Sequence, residues 1–181
     1  MSHSLDFIGL NERLFVLRHF IAGNKEYSRR ARNYRGIRTD VFEDWANYAR
    51  RLRYHVSNDL IDMAAKLRVI QDTAMEQVSA EIIRELDISC MDGKSLGSVL
   101  TGEFDLTLRE SCNKIIHATS FSLTFRDARN TQPPYQYSYW NCMCRLEGSR
   151  GKRLWRMKLD VYKWADAMDW FLEELSGNVD W

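Results

Sequence analysis

The stretch Asp-Leu-Thr-Leu-Arg-Glu-Ser-Cys-Asn-Lys-Ile-Ile-His-Ala (Asp105–Ala118), followed directly by Thr-Ser-Phe-Ser-Leu-Thr-Phe-Arg (Thr119–Arg126), decides the fold, because the apolar period changes at their junction. At 3.6 residues per turn, Leu108, Ile115 and Ile116 give a helix its apolar side, while Arg109, Asn113 and His117 step by four into a polar stripe. From Thr119 the period drops to two, with Phe121, Leu123 and Phe125 on one face of a strand. Helices are expected before this junction and a sheet after it.

Upstream, Phe7, Leu10, Leu14, Leu17, Phe20 and Ile21 recur at threes and fours, which predicts a first amphipathic helix from Leu5 to about Lys25, ended near Gly23-Asn24. The segment Tyr27 to Arg38 is the most basic in the chain, with Arg29, Arg30, Arg32, Arg35 and Arg38. Such a run is a solvated face or loop, or else a patch for phosphate. Asp40 can cap the next helix, with Glu43 three residues on. Its apolar seam runs from Phe42 through Leu52, Leu60 and Ile70 to Leu86 without Gly or Pro. One helix of about 45 residues would reach about 65 to 70 Å, longer than a domain of this size, so a break is expected, most naturally at Ser57-Asn58-Asp59. Asp87 to Glu103 carries Gly93, Gly97 and Gly102 and reads as a loop or short helix.

Downstream, Tyr135 to Glu147 and Lys152 to Tyr162 read as two strands joined across Glu147–Gly151. Alternation puts Trp140, Cys142, Cys144 and Leu146 on one face, and Tyr135, Tyr137, Tyr139, Arg145, Arg156 and Lys158 on the other. A last helix from Tyr162 to Leu175 stops at Gly177. The expectation is one α+β domain over residues 1–181. A helical bundle (5–118) is followed by a three-stranded antiparallel meander and a closing helix (119–176).

Lys plus Arg total 26 and Asp plus Glu 25, so no global field draws the molecule to nucleic acid or to a membrane, and any such partner must be met by a local patch. No apolar run reaches the roughly 18 to 20 residues of a bilayer span, and the start lacks the pattern of a secretion signal, so a cytosolic chain is expected. In a reducing compartment Cys90, Cys112, Cys142 and Cys144 are expected as free, mostly buried thiols. Cys142-x-Cys144 finds no second short-spaced ligand pair for zinc, and no glycine-rich phosphate loop or nucleophile elbow occurs, so no metal or cofactor is implied.

That leaves the polar stripe of the opening stretch. An imidazole can take a proton from a 2′-hydroxyl near neutral pH and a guanidinium can hold the scissile phosphate, so His117 with Arg109 suits metal-independent RNA cleavage. Eight helical residues separate the two by about 12 Å, a gap that two chains could close more easily than one. Leu108-Arg109-Glu110-Ser111-Cys112-Asn113-Lys114-Ile115-Ile116-His117-Ala118 resembles the Leu-Arg-x-x-Arg-Asn-Lys-x-x-His-[Ala/Gly] helix of the HEPN superfamily. The resemblance implies a helical bundle, often dimeric, and a metal-independent ribonuclease site shared by two protomers. His117 falls on the motif histidine and Asn113 on the polar position beside the motif arginine. Cys112 stands where the catalytic arginine would be, so either Arg109 supplies the cation or the site is inactive.

On the first alternative the chain is an RNA-acting domain and likewise a homodimer. His117, Arg109 and Asn113 do the chemistry, and single-stranded RNA is held by Arg29, Arg30, Arg32, Arg35, Arg38, Arg156 and Lys158. On the second it is a non-catalytic interaction protein that uses the same bundle for dimerisation or partner binding.

Overall fold

The structure is a computed structural model that describes residues 6–32, 40–91, 93–128 and 137–178. Its order is α1 (Phe7–Arg32), α2 (Asp40–Gln77), α3 (Ala80–Ser89), β1 (Gly97–Thr101), α4 (Leu108–Ile116), β2 (Ser120–Asp127), β3 (Ser138–Arg150), β4 (Arg153–Asp160) and α5 (Val161–Asn178). This is an α+β fold with a helical majority. No helix among the described residues is long and apolar enough to cross a membrane.

The helices follow their apolar seams but not all of their expected ends. Leu10, Leu14 and Leu17 bury one side of α1, and the helix continues past Gly23 to Arg32. Asn24, expected to stop it, is buried and its amide donates to the Ile21 carbonyl, so the side chain is absorbed inside the helix. The first part of the arginine segment is therefore helix rather than loop.

In α2 the buried series Leu52, Val56, Leu60, Met63, Leu67, Ile70 and Ala74 runs through the expected break without interruption. Ser57 turns its hydroxyl back to the Tyr54 carbonyl at 3.0 Å, and Asp59 is taken by Arg13 of α1 at 2.6 Å, so neither competes for the backbone. The break comes instead at Val78-Ser79. Ser79 is extended and its hydroxyl accepts the Glu81 N–H at 3.2 Å, capping α3. The seam is thus divided, but only after α2 has run about 57 Å by helical rise.

The sheet has four strands, not three, in the order β1-β4-β3-β2, all antiparallel. The extra strand lies within Asp87–Glu103, where a loop or short helix was expected: Gly97 pairs opposite Leu159 and Ser98 opposite Lys158. The β3–β4 hairpin closes on the two-residue turn Gly151-Lys152, with Gly151 at φ +61°. In β3 the expected alternation fails at Cys142. Thr124 pairs with Met143 but Phe125 with Trp140, so Asn141 and Cys142 are extra residues in a bulge, and Cys142 takes φ +64°. Cys144 is fully buried and Cys142 only partly, so the two thiols do not share a regular strand face.

One apolar cluster joins the layers. Trp140, Cys144, Leu146, Met157 and Leu159 of the sheet face the buried sides of the helices, and Trp164, Met168, Phe171 and Leu175 of α5 complete it. α5 runs on through Gly177 to Asn178, past its expected stop. Arg18 of α1 reaches both Asp166 and Asp169 of α5, at 3.0 and 2.8 Å.

Candidate functional site at helix α4

Thr107 and Asp87 together build the start of α4. The Thr107 hydroxyl accepts the Glu110 N–H at 3.2 Å, and the Asp87 carboxylate, delivered by α3, accepts the Arg109 N–H at 2.7 Å and the Gln71 amide at 3.3 Å. These bonds satisfy donors that a helix start leaves open. Burial raises the Asp87 pKa above the ordinary carboxylate value of 3.8, while the bonds from Thr107, Arg109 and Gln71 pull the other way. With a raised native pKa, the proton is held more tightly folded than unfolded. The carboxyl thus contributes stability at acid pH that is lost as pH rises through the native pKa. Asp87→Asn keeps an acceptor oxygen without the charge. Its urea midpoint at pH 7 is expected at or above that of the parent, with a flatter dependence on pH above about 4. A large loss of stability with the pH slope unchanged would show that the charge itself caps α4.

Leu108, Ser111, Cys112 and Ile115 form the buried side of α4. The Ser111 hydroxyl donates to the Leu108 carbonyl at 2.6 Å and accepts the indole N–H of Trp164 at 2.9 Å, which fastens α4 to α5. Cys112 has no exposure, and burial pushes its thiol up to about 12.

The polar stripe is divided among different neighbours. The Arg109 guanidinium binds Asp72 of α2, which Arg68 also reaches, so it is drawn toward α2. Asn113 donates to Glu110 at 3.0 Å. His117 is the C-cap of α4, its backbone N–H bonded to the Asn113 carbonyl, and the residue is exposed. Among the described residues its ring has no hydrogen-bond partner. Within one chain, then, Arg109 and His117 are not brought together.

The cations proposed for RNA are also differently placed. Arg29 and Arg30 both bind Glu26, at 2.7 and 2.9 Å, and hold its carboxyl down at about 2. Arg35, Arg38 and the side chain of Arg32 lie outside the described residues, as does Tyr135. On the sheet, Arg156 lies 3.6 Å from Glu147, which Arg145 also binds at 3.0 Å. Lys158 is exposed between Ser98 and Arg145 of the neighbouring strands. Tyr137 and Tyr139 stand 6.1 Å apart, and Tyr137 is buried rather than presented for stacking.

The opposite flank of α4 carries a feature that the motif does not signal. A cleft of about 720 Å³ opens between α4 and the tip of the β3–β4 hairpin, with Glu110, Lys114, Phe104, Trp155, Arg150 and Arg153 on its walls. The two walls are in close contact at their base. A Cβ on Gly148 would stand 2.9 Å from the His117 carbonyl and 2.3 Å from the Trp155 indole, so only glycine lets the hairpin pack against the end of α4. The sequence signal for this cleft is the run Arg150-Gly151-Lys152-Arg153, easily read as an ordinary hairpin turn.

No family model matches the chain, and neither a curated protein nor a solved structure does so.

Proposed function

We propose that this chain is a non-catalytic RNA-associated domain, in which the HEPN-like helix serves as a structural strut. The observation that carries this reading is the complete burial of Cys112. A position that should present a cation to a scissile phosphate is instead a thiol inside the core, and a buried thiol neither donates charge nor touches solvent. Arg109, the possible substitute, is engaged at its guanidinium by Asp72 and at its backbone by Asp87. General acid–base help from His117 alone, without a cation at the phosphate, leaves the electrostatic part of the chemistry unprovided. The association with RNA is supported by Lys158 on the sheet and by Arg150, Lys152 and Arg153 at the hairpin tip, none of which has an ion-pair partner among the described residues. The homodimer implied by the resemblance would find its apolar surface on the outer side of α2, where Tyr54, Ile61 and Val69 are exposed. The binding role does not depend on it.

The test is incubation of the purified chain with a mixed single-stranded RNA in chelator, beside His117→Ala and Arg109→Ala. The expected result is equal, background breakdown in all three. Cleavage by the parent that disappears in both variants would establish the ribonuclease reading instead.

A further inference from the structure

The β3–β4 hairpin ends in Arg150-Gly151-Lys152-Arg153, three cations in four residues, and the register sets Arg150 directly opposite Arg153. Like charges directly opposite each other on paired strands are destabilising. Among the described residues none of the three has an ion-pair partner. The turn itself needs only Gly151. Folding therefore gains nothing from this crowding, in contrast to Arg13, Arg18, Arg29 and Arg30, each of which is matched by an acid.

Facing the tip across the cleft is a cation that is already fixed. Only 13% of the Lys114 side chain is exposed. Its ammonium lies 4.1 Å from the ring centre of Phe104, 4.9 Å from that of Trp155 and 3.2 Å from Glu110. An ammonium held against two aromatic faces has lost its rotamer freedom during folding and need not lose it again on binding. The acids of the cleft are Glu110, engaged by Lys114 and Asn113, and the exposed Glu103. Lys114, Arg150 and Arg153, with Lys152 beside them, make four cations against these two acids, a local excess of two in a chain whose net charge is only +1.

We propose that the cleft between α4 and the hairpin tip binds the phosphate of a nucleotide, with Arg150 and Arg153 as the guanidinium pair at its mouth and Lys114 as the fixed cation on the opposite wall. Paired guanidinium groups suit phosphate oxygens because their planar forks give two donors at a time. The size of the cleft argues for more than an inorganic ion, since about 300 to 1,000 Å³ is the range of small-molecule sites. Leu154, 65% exposed on the rim, and the partly exposed Phe104 offer apolar surface to a base. The phosphate can belong to a free nucleotide or to a strand of RNA. The proposal rests on the RNA-associated reading only for the second source.

The experiment measures binding of a fluorescently labelled single-stranded oligoribonucleotide by anisotropy at low and moderate salt, and of ATP by calorimetry. Both are done on the full chain and on R150E/R153E, with R51E/R53E, two exposed positions on α2, as the comparison. The expected result is salt-dependent binding of one or both ligands, weakened about tenfold or more in R150E/R153E and less than about twofold in R51E/R53E, with the thermal melts of all three proteins alike. Binding of ATP alone, lost in R150E/R153E, supports the cleft and removes the RNA-associated reading. RNA binding that is unchanged in R150E/R153E removes the cleft and leaves that reading standing. Failure of the full chain to bind either ligand at low salt overturns both.

Discussion

Cys112→Arg, which writes the HEPN arginine back into α4, is expected to unfold the protein rather than to activate it. The new side chain would enter a space with no exposure, among the buried residues of α4 and α5. A buried charge left without a partner costs several kcal/mol, and overpacking adds about 1 to 3. Asp87, a carboxylate whose charge is felt at Cys112, is already bound by Arg109 and Gln71. A total of this size is comparable with the whole stability of an ordinary domain, about 5 to 15 kcal/mol. Circular dichroism melts should therefore show the loss of the cooperative transition, whereas Cys112→Ala, which removes only one sulfur, should retain it. A well-folded Cys112→Arg protein that cleaves RNA would show that α4 can turn this position outward, and the strut reading would fail.

The second large effect is expected at Trp164. Its indole is fully buried in α5 and donates to Ser111, so Trp164→Ala leaves a cavity and an unfilled acceptor at the same place. Truncating a buried aromatic costs about 3 to 5 kcal/mol. Trp164→Phe keeps most of the volume and should lose only about 1 to 2 kcal/mol, close to the net value of the hydrogen bond. Urea denaturation of Trp164→Phe, Ser111→Ala and the double variant measures their coupling. A value above about 0.5 kcal/mol is expected for residues in contact, and additivity would mean that this bond does not fasten α4 to α5.

The apolar seams made most of the helices legible, because burial imposes a period whichever neighbours supply the core. Their ends were less so, since Asn24, Ser57 and Asp59 have side chains that suit a helix stop as well as a bond to Ile21, Tyr54 or Arg13. Only tertiary contacts chose between these. β1 escaped notice for a related reason: five residues beginning at Gly97 become a strand through a partner more than fifty residues later. The bulge at Asn141-Cys142 leaves no mark in the alternation of residue types. The inward turn of Cys112, by contrast, was open to reading. Leu108, Cys112 and Ile115 have the four-and-three spacing of a buried face, and the motif drew attention to the polar stripe instead. The basic hairpin tip was readable as charge but not as part of a cleft, because Lys114 and Arg150 meet only across the fold.

The bulge also bears on how the sheet ends. β2 is an edge strand, and its Ser-Phe-Ser-Leu-Thr-Phe sequence, rich in β-formers and without proline, is of the kind that recruits a strand from another molecule. The two extra residues in β3 shift the register between Thr124 and Phe125 and add twist there. An incoming strand could follow a regular edge only from Ser120 to Thr124 before the ladder turns away, and beyond it Arg126 and Asp127 are charged and exposed. The irregularity that disturbs the pattern of the cysteines thus shortens the template on which aggregation could begin.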